Sequence, residues 1–469
     1  MFRRFWLVLI IPLVLLSTCE KRQVPLLKIE HQYVPVEAFY QIIPARDLPL
    51  YSHDHLQSLV NDFACDQLML YDAYRQKFHK KPEVEQAVNA FRQNYLLEYY
   101  QKRFIVDSLI TEKDLIRRYR SFSKEYQVYH PYRDVRPTLY KEALSAKRLL
   151  IAEKVVELYN NVKTRSMLHF FKPTFEHFVA LYNENYQRVN KSNSGEISPL
   201  DVLATFTFDS FLAQIKGKSY NQRWLMKAIK ERQINVPTGM LNVATFKNVF
   251  ENLILDEIII KNAQAAGLQR EPEYRQTVKK FQDDMTLQLY QKEKISAKII
   301  NSEDSLRAYY EKQKNSRYMA PARAEVRAIF LNDSLKARQV LKKALRGENF
   351  DLLYRNFNTR TQPPKGHLGF ITADDYGAIG KAALKSGPNR IYPEIVPSGH
   401  DYAVVRTLRF KDTQPLDYSS IKPRVATDYG EEQFQALRQK LFNGLKKKYH
   451  LTVYFDNLFK SSKRNEVSN

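Results

Sequence analysis

Any chemistry this chain performs has to be built from ten histidines, two cysteines and 51 acidic side chains. In the helical stretches the acidic residues alternate with Lys and Arg, the pattern of a solvated face rather than of a paired acid and base. Gly-x-Ser-x-Gly, His-Glu-x-x-His, the Walker loop and the Gly-x-Gly-x-x-Gly fingerprint do not occur. With Cys19 and Cys65 alone there is no zinc cluster or redox pair, and neither a metal nor a cofactor is expected. The informative residues lie in the last third of the chain: Arg360, the turn Gly366-His367-Leu368-Gly369-Phe370, and Ser398-Gly399-His400. Leu368, Phe370, Tyr376 and Ile379 are either the walls of an apolar peptide-binding groove or the core of a small domain.

The elements that position these residues begin at Ala324. Residues 325–331 (EVRAIFL) are strand-like, and a helix follows over 333–346 and stops at Gly347. A short helix over 350–357, a strand at 366–370, a helix over 374–384 ending at Gly387, and strands over 391–396 and 402–408 complete a β-α-α-β-α-β-β order.

Upstream the chain repeats itself. Residues 66–133 align without gaps on 256–323, an offset of 190 residues, with 19 identities in 68 positions. Pro82/Pro272, Phe91/Phe281, Arg117/Arg307, Tyr119/Tyr309 and Pro131/Pro321 are among them, which marks a duplication. Each copy reads as three helices. The first carries an apolar stripe (Leu56, Leu59, Val60, Phe63, or Phe246, Val249, Phe250, Leu253). The second opens on Pro82 or Pro272, and the third is capped by Thr111 or Ser302. Pro131 and Pro321 are expected to stop the helical pattern. A short apolar or β-like stretch precedes each copy, at 26–39 and 202–211, and an amphipathic helix over 141–162 and a polar linker over 191–198 lie between them.

The α/β order, with Gly347-Glu348-Asn349-Phe350, the Gly-His-Leu-Gly-Phe turn and the Leu384-Lys385-Ser386-Gly387 turn, resembles the parvulin family of peptidyl-prolyl cis-trans isomerases. The helical repeats, with Ala265-Ala266-Gly267-Leu268 and Pro272-Glu273, look like the chaperone region of SurA-type periplasmic foldases. In such proteins a C-terminal helix returns to the N-terminal domain, and residues 431–448 fit that part. The fold class implied is mainly α, a duplicated SurA-like helical region, plus a small α+β parvulin-like domain. The resemblance also implies a catalytic set of two strand histidines and a nearby Cys or Asp. Carried onto this sequence, these positions are Ala328, Arg360 and either Tyr402 or Ala403, so all three are replaced. His400, just upstream, is the one possible substitute, and a surface role is expected for His367.

The N-terminus sets the compartment. Met1-Phe2-Arg3-Arg4 and an apolar run from Phe5 to Leu16 form a signal sequence, and Leu16-Ser17-Thr18-Cys19 resembles a bacterial lipobox, which implies a lipid on Cys19. Expected domains are a signal peptide at 1–18, a first repeat at 19–135, and a helical connector and linker at 136–200. They continue with a second repeat at 201–322, the degenerate parvulin-like domain at 323–411, and the returning helix and tail at 412–469. The net charge of +23 is spread along the chain without a nucleic-acid-binding motif, so no nucleic-acid partner is expected. The reading is a periplasmic chaperone lipid-anchored to the outer membrane, binding unfolded polypeptides such as outer-membrane proteins without isomerase catalysis. An active isomerase with a rearranged site, or a structural subunit of an outer-membrane translocon or assembly machine, are the alternatives.

Overall fold

A computed structural model describes residues 24–192, 197–234, 236 and 238–460. Cys19, its signal sequence and the middle of the 191–198 linker lie outside the described residues. The chain divides into two compact units, one of residues up to Ser296 together with those from Gln439 on, the other Ala297–Arg438. The fold is mainly helical with small antiparallel sheets, as the sequence implied.

In the first unit, copy one begins with a hairpin, Pro25–Ile29 and Gln32–Pro35, followed by helices His53–Arg75 and Pro82–Gln101. Copy two has the hairpin Ala213–Ile215 and Lys218–Tyr220, then Val243–Ala265 and Pro272–Lys294. Ser52 and Asn242 cap the first helices through their side-chain oxygens, and Pro82 and Pro272 open the second, where a missing N–H breaks no bond. Between the two helices the chain turns through a left-handed residue in both copies, Lys77 with φ 62° and Gly267 with φ 76°. Only glycine adopts that conformation without strain.

The duplication reaches further upstream than the 68-residue alignment. Leu26 and Ile29 match Leu212 and Ile215 at an offset of 186, and the hairpin turns match too, with Glu30 and Lys216 both at positive φ. Of the apolar or β-like stretch at 202–211, the apolar reading holds, with Val202, Leu203 and Phe208 buried, and no strand forms there. Pro199–Leu203 is a helical turn, because Ser198 and Asp201 close a capping box on it, and the strands come after it.

Each hairpin acquires a third strand from the end of the opposite copy. Leu451–Val453 pairs antiparallel with Pro25–Ile29, with Leu27 opposite Val453. His169–Phe170, which closes copy one, pairs with Ala213–Ile215, with Phe170 opposite Ala213. The helices interlock as well. Tyr274 Oη donates to the Arg92 carbonyl at 2.8 Å, and Tyr290 Oη donates to Asp72 at 2.6 Å. Val84, Val88, Leu96 and Tyr99 share one buried cluster with Ile260, Ala263, Tyr274 and Val278.

The third helix of copy one, Glu112–Arg120, is capped by Thr111, and Ser302 caps its counterpart Glu303–Arg317 in the second unit. A short helix, Lys124–Tyr129, stops just before Pro131, which also supplies the extended residue ahead of Tyr132–Ala146. The expected single helix over 141–162 is two, Tyr132–Ala146 and Arg148–Ser166, parted at Lys147, whose ammonium donates to the Leu109 carbonyl.

The second unit is a five-stranded antiparallel sheet with helices on both faces. Its path runs Val396–Ser398, Asp401–Lys411, Arg323–Leu331, His367–Ile371, and Arg390–Ile391 also pairs with Asp401–Lys411. Ser334–Leu345 and Phe350–Phe357 cover one face and Ala378–Ser386 the other. The C-terminal helix is longer than expected, Tyr418–Lys448. Its start is held by burial of Tyr418 and Val425 among Leu306, Tyr309, Tyr310 and Tyr318, which carries the helix through Pro423 despite the proline.

Candidate functional site in the α/β module

Side chains alternate across the central strand Arg323–Leu331. Ala324, Val326, Ala328 and Phe330 join the cluster under helix Ala378–Ser386, while Ile329 and Leu331 join the cluster of the opposite face. In the neighbouring strand Ala403 lies opposite Phe330, Val405 opposite Ala328, and Tyr402 opposite Leu331. Ala403 therefore shares the face of Ala328, and Tyr402 points to the other. Of the two registers left open by the sequence, the one at Ala403 is the one that puts both strand positions on one face. Both alanines are fully buried, and a methyl group offers neither a hydrogen bond nor a proton.

Arg360, at the position implied for a Cys or Asp, is held in a specific arrangement. Its Nε donates to Asp401 Oδ2 at 2.6 Å, one terminal nitrogen donates to the Ser398 carbonyl at 2.9 Å, and the guanidinium lies 4.2 Å from the centre of the Phe330 ring. The loop that delivers it is tied to the same strand. Phe330 N donates to Asn358 Oδ1 at 2.8 Å, and Thr359 N donates to the Phe330 carbonyl at 2.8 Å. A cation paired with Asp401 and resting on an aromatic face thus closes the hairpin at the end of the sheet. No sequence signal couples residues 41 positions apart, so this pairing was not legible beforehand.

His400 is exposed in the turn between Ser398 and Asp401, and His367 is exposed at the start of its strand. The four residues read as a groove or a core are not gathered in one place. Ile379 is fully buried and Leu368 packs on the same cluster. Leu368 is the extra residue of a bulge, since Val326 pairs with Gly369 and Arg327 with His367. Phe370 lies opposite Glu325, on the other face, beneath the Lys411 ammonium at 4.5 Å, and Tyr376 is 57% exposed.

The sequence also gave no hint of Arg327 as a buried cation. It is 8% exposed, donates to Asp351 at 2.6 Å and to the Lys365 carbonyl, and holds the Asp351 carboxyl below the usual range through that hydrogen bond. Among the described residues no group of three His, Cys, Asp or Glu side chains is placed to hold a metal, and no helix is long and apolar enough to cross a membrane.

No family model matches the chain. Curated relatives from two strains of Campylobacter jejuni, whose name, Cbf2, assigns them to the peptidyl-prolyl cis-trans isomerases, are 22% identical over 221 residues, 43% of this chain and 78% of theirs. Among solved structures, one from a study of two SurA-like chaperones of Campylobacter jejuni is 18% identical and has a TM-score of 0.36, over 51% of this chain and 98% of that one. PrsA of Bacillus subtilis is 18% identical with a TM-score of 0.18, over 39% and 68% of the two chains. The resemblance to peptidyl-prolyl cis-trans isomerases drawn from the residues agrees with the name these curated relatives carry.

Proposed function

We propose that this protein is a periplasmic chaperone, held at the outer membrane by a lipid on Cys19, that binds unfolded outer-membrane or secreted polypeptides without isomerising them. Three things support it: the lipobox-like Leu16-Ser17-Thr18-Cys19, the likeness to curated peptidyl-prolyl cis-trans isomerases, and the state of the α/β module. The carrying observation is Arg360, locked on Asp401 and Phe330 beside two buried alanines. Prolyl isomerisation crosses a resonance barrier of about 20 kcal/mol, which an enzyme lowers by holding the ring in an apolar pocket and favouring the twisted amide. Here that end of the sheet is occupied by the protein's own side chains.

The test uses the soluble mature chain in two assays. We expect it to slow aggregation of an unfolded barrel protein and to leave a proline-limited refolding phase at its uncatalysed rate. Acceleration of that phase, abolished by His400→Ala, would establish the active-isomerase alternative instead. Failure to slow aggregation would remove the chaperone reading.

A further inference from the structure

The two third helices lead into different structures, and in copy one this leaves a surface with no part in the proposed chaperone function. In copy two, helix Glu303–Arg317 packs on Tyr418–Lys448, with the rings of Tyr309 and Tyr429 5.4 Å apart, and the whole α/β module is inserted between these helices. In copy one, Glu112–Arg120 packs in the same way on Tyr132–Ala146, with Tyr119 and Tyr132 5.3 Å apart. The insertion is replaced by one short helix, Lys124–Tyr129.

That short connection is a hydrogen-bonded, basic and aromatic tip. Tyr119 Oη donates to the His130 carbonyl at 2.7 Å, the Gln127 side chain donates to the Phe122 carbonyl at 2.7 Å, and Ser123 caps the short helix. Phe122 stacks edge-on with Tyr126 and carries the Arg118 guanidinium on its face. With its interior closed this way, the tip still presents Val128 and Tyr129 at 75% and 74% exposure, with Tyr126 beside them. Between Arg117 and Arg133 there are five Arg and Lys residues against one acidic residue, Glu125, and all five are exposed. Arg117 and Arg133 touch Asp114 and Asp134. Among the described residues no carboxylate pairs with Arg118, Arg120 or Lys124.

We propose that this tip docks on an anionic lipid surface, with Val128 and Tyr129 entering the interfacial layer and Arg118, Arg120 and Lys124 meeting headgroup phosphates. Tyrosine with a wet hydroxyl and an apolar ring suits that layer, and each basic side chain adds attraction that salt screens. A polypeptide occupant fits less well. Extended chains bind to an open strand edge or an apolar groove. This tip is a six-residue helix closed at both ends by backbone bonds, with Gln127 N on the Ser123 carbonyl and His130 N on that of Tyr126.

The test is co-sedimentation of the mature chain, carrying Cys19→Ser so that no lipid is attached, with phosphatidylcholine vesicles with or without phosphatidylglycerol. Binding is expected to require phosphatidylglycerol and to fall with added salt. Arg118→Glu with Lys124→Glu, and separately Val128→Ser with Tyr129→Ser, are each expected to weaken it by about tenfold or more. Lys336→Glu with Arg338→Glu, an equal charge change on another exposed helix, is expected to leave it within about twofold of the parent. The proposal is overturned if the parent ignores phosphatidylglycerol, or if the control pair weakens binding as much as the tip pairs do. It is also overturned if the tip variants bind vesicles normally, including the case in which they have lost aggregation suppression, which would make the tip a client site. The serine pair lies at exposed positions, so it reports even if the charge-reversed pair misfolds.

Discussion

Phe91 and Phe281 hold the same position in the two copies, and their rings stack face to face with centroids 4.0 Å apart and planes 4° from parallel. Two equivalent residues can meet like this only near a local twofold axis. The charges around them obey the same axis. Lys81 pairs with Glu293 at 2.6 Å, and Glu271, the equivalent of Lys81, pairs with Arg103, the equivalent of Glu293, at 3.8 Å. Together with the exchanged third strands, this is the geometry of a C2 interface, here formed within one chain.

The stacked pair gives the first prediction. Both rings are partly buried, so Phe91→Ala or Phe281→Ala should each cost about 2–3 kcal/mol in urea unfolding, below the range for a fully buried ring. The double variant should cost less than the sum by about 1 kcal/mol, the contribution of the stack itself. Additive single effects would show that the rings act only as buried area. Lys81→Glu should move stability by less than about 1 kcal/mol, because that pair is exposed.

The second prediction concerns Asp72, which is 1% exposed and lies where the two copies and the C-terminal segment meet. It accepts from Tyr290 at 2.6 Å, Tyr449 at 2.7 Å and Lys448 at 2.9 Å, and from Gln76. Burial opposes its ionisation, but the hydrogen bonds from Tyr290, Tyr449 and Lys448 outweigh it, and the carboxyl is held below its usual range. A depressed folded-state pKa stabilises the native state above the unfolded value of about 3.9. That stabilisation is lost as pH falls through the lower folded value. Unfolding midpoints should therefore drop below about pH 4, and Asp72→Asn should flatten that part of the profile. At neutral pH the same variant should cost about 3 kcal/mol, because the partners lose their charge acceptor. An unchanged acid limb would show that another carboxylate governs it.

The helices were legible because capping residues and apolar stripes are local. Thr111, Ser302, Pro82 and Pro272 each occupy the position their chemistry suggested. What the sequence hid depends on distance or on competing local signals. The 202–211 stretch is apolar enough for a strand, but Ser198 and Asp201 turn its beginning into a helix. The ungapped alignment also placed Pro131 on Pro321. One introduces a helix and the other leads into the central strand of the module, because the copies diverge where the module is inserted. In the candidate site, sequence named Ala328 and Arg360, but only strand register could separate Ala403 from Tyr402. A one-residue shift moves a side chain to the other face of the sheet.

A third prediction separates the contacts of Arg360. Arg360→Ala removes an ion pair, a bond to the Ser398 carbonyl and the stack on Phe330, and should destabilise the module by about 2 kcal/mol. Arg360→Lys keeps the charge but not the fork and should recover less than half of that loss. Amide exchange at residues 396–405 should accelerate in both variants, more in the alanine. If exchange there is unchanged, the ion pair does not hold the hairpin.

The last prediction uses two glycines to ask whether the module is needed for the proposed chaperone action. Gly380 is buried in helix Ala378–Ser386 with no room for a methyl group. A Cβ there would lie 2.7 Å from the Asp375 carbonyl oxygen, 2.9 Å from that of Ala373, and closer still to that of Thr372. These are backbone atoms, and the Thr372 turn is fixed by hydrogen bonds from Thr372 N and Oγ1 to Asp375 at 2.6 and 2.8 Å. Gly380→Ala should cost the module about 3 kcal/mol, the upper part of the overpacking range. Gly430→Ala, in the interior of helix Tyr418–Lys448 with open space around it, should instead stabilise by about 0.5–1 kcal/mol. Hydrogen exchange should show protection lost over Arg323–Leu331 and Asp401–Lys411 in Gly380→Ala while Pro82–Gln101 stays protected, because the two units are separately compact. If such a variant still slows client aggregation, the interlocked helical copies carry the activity. If suppression disappears with the module's protection, clients depend on the sheet that Arg360 closes.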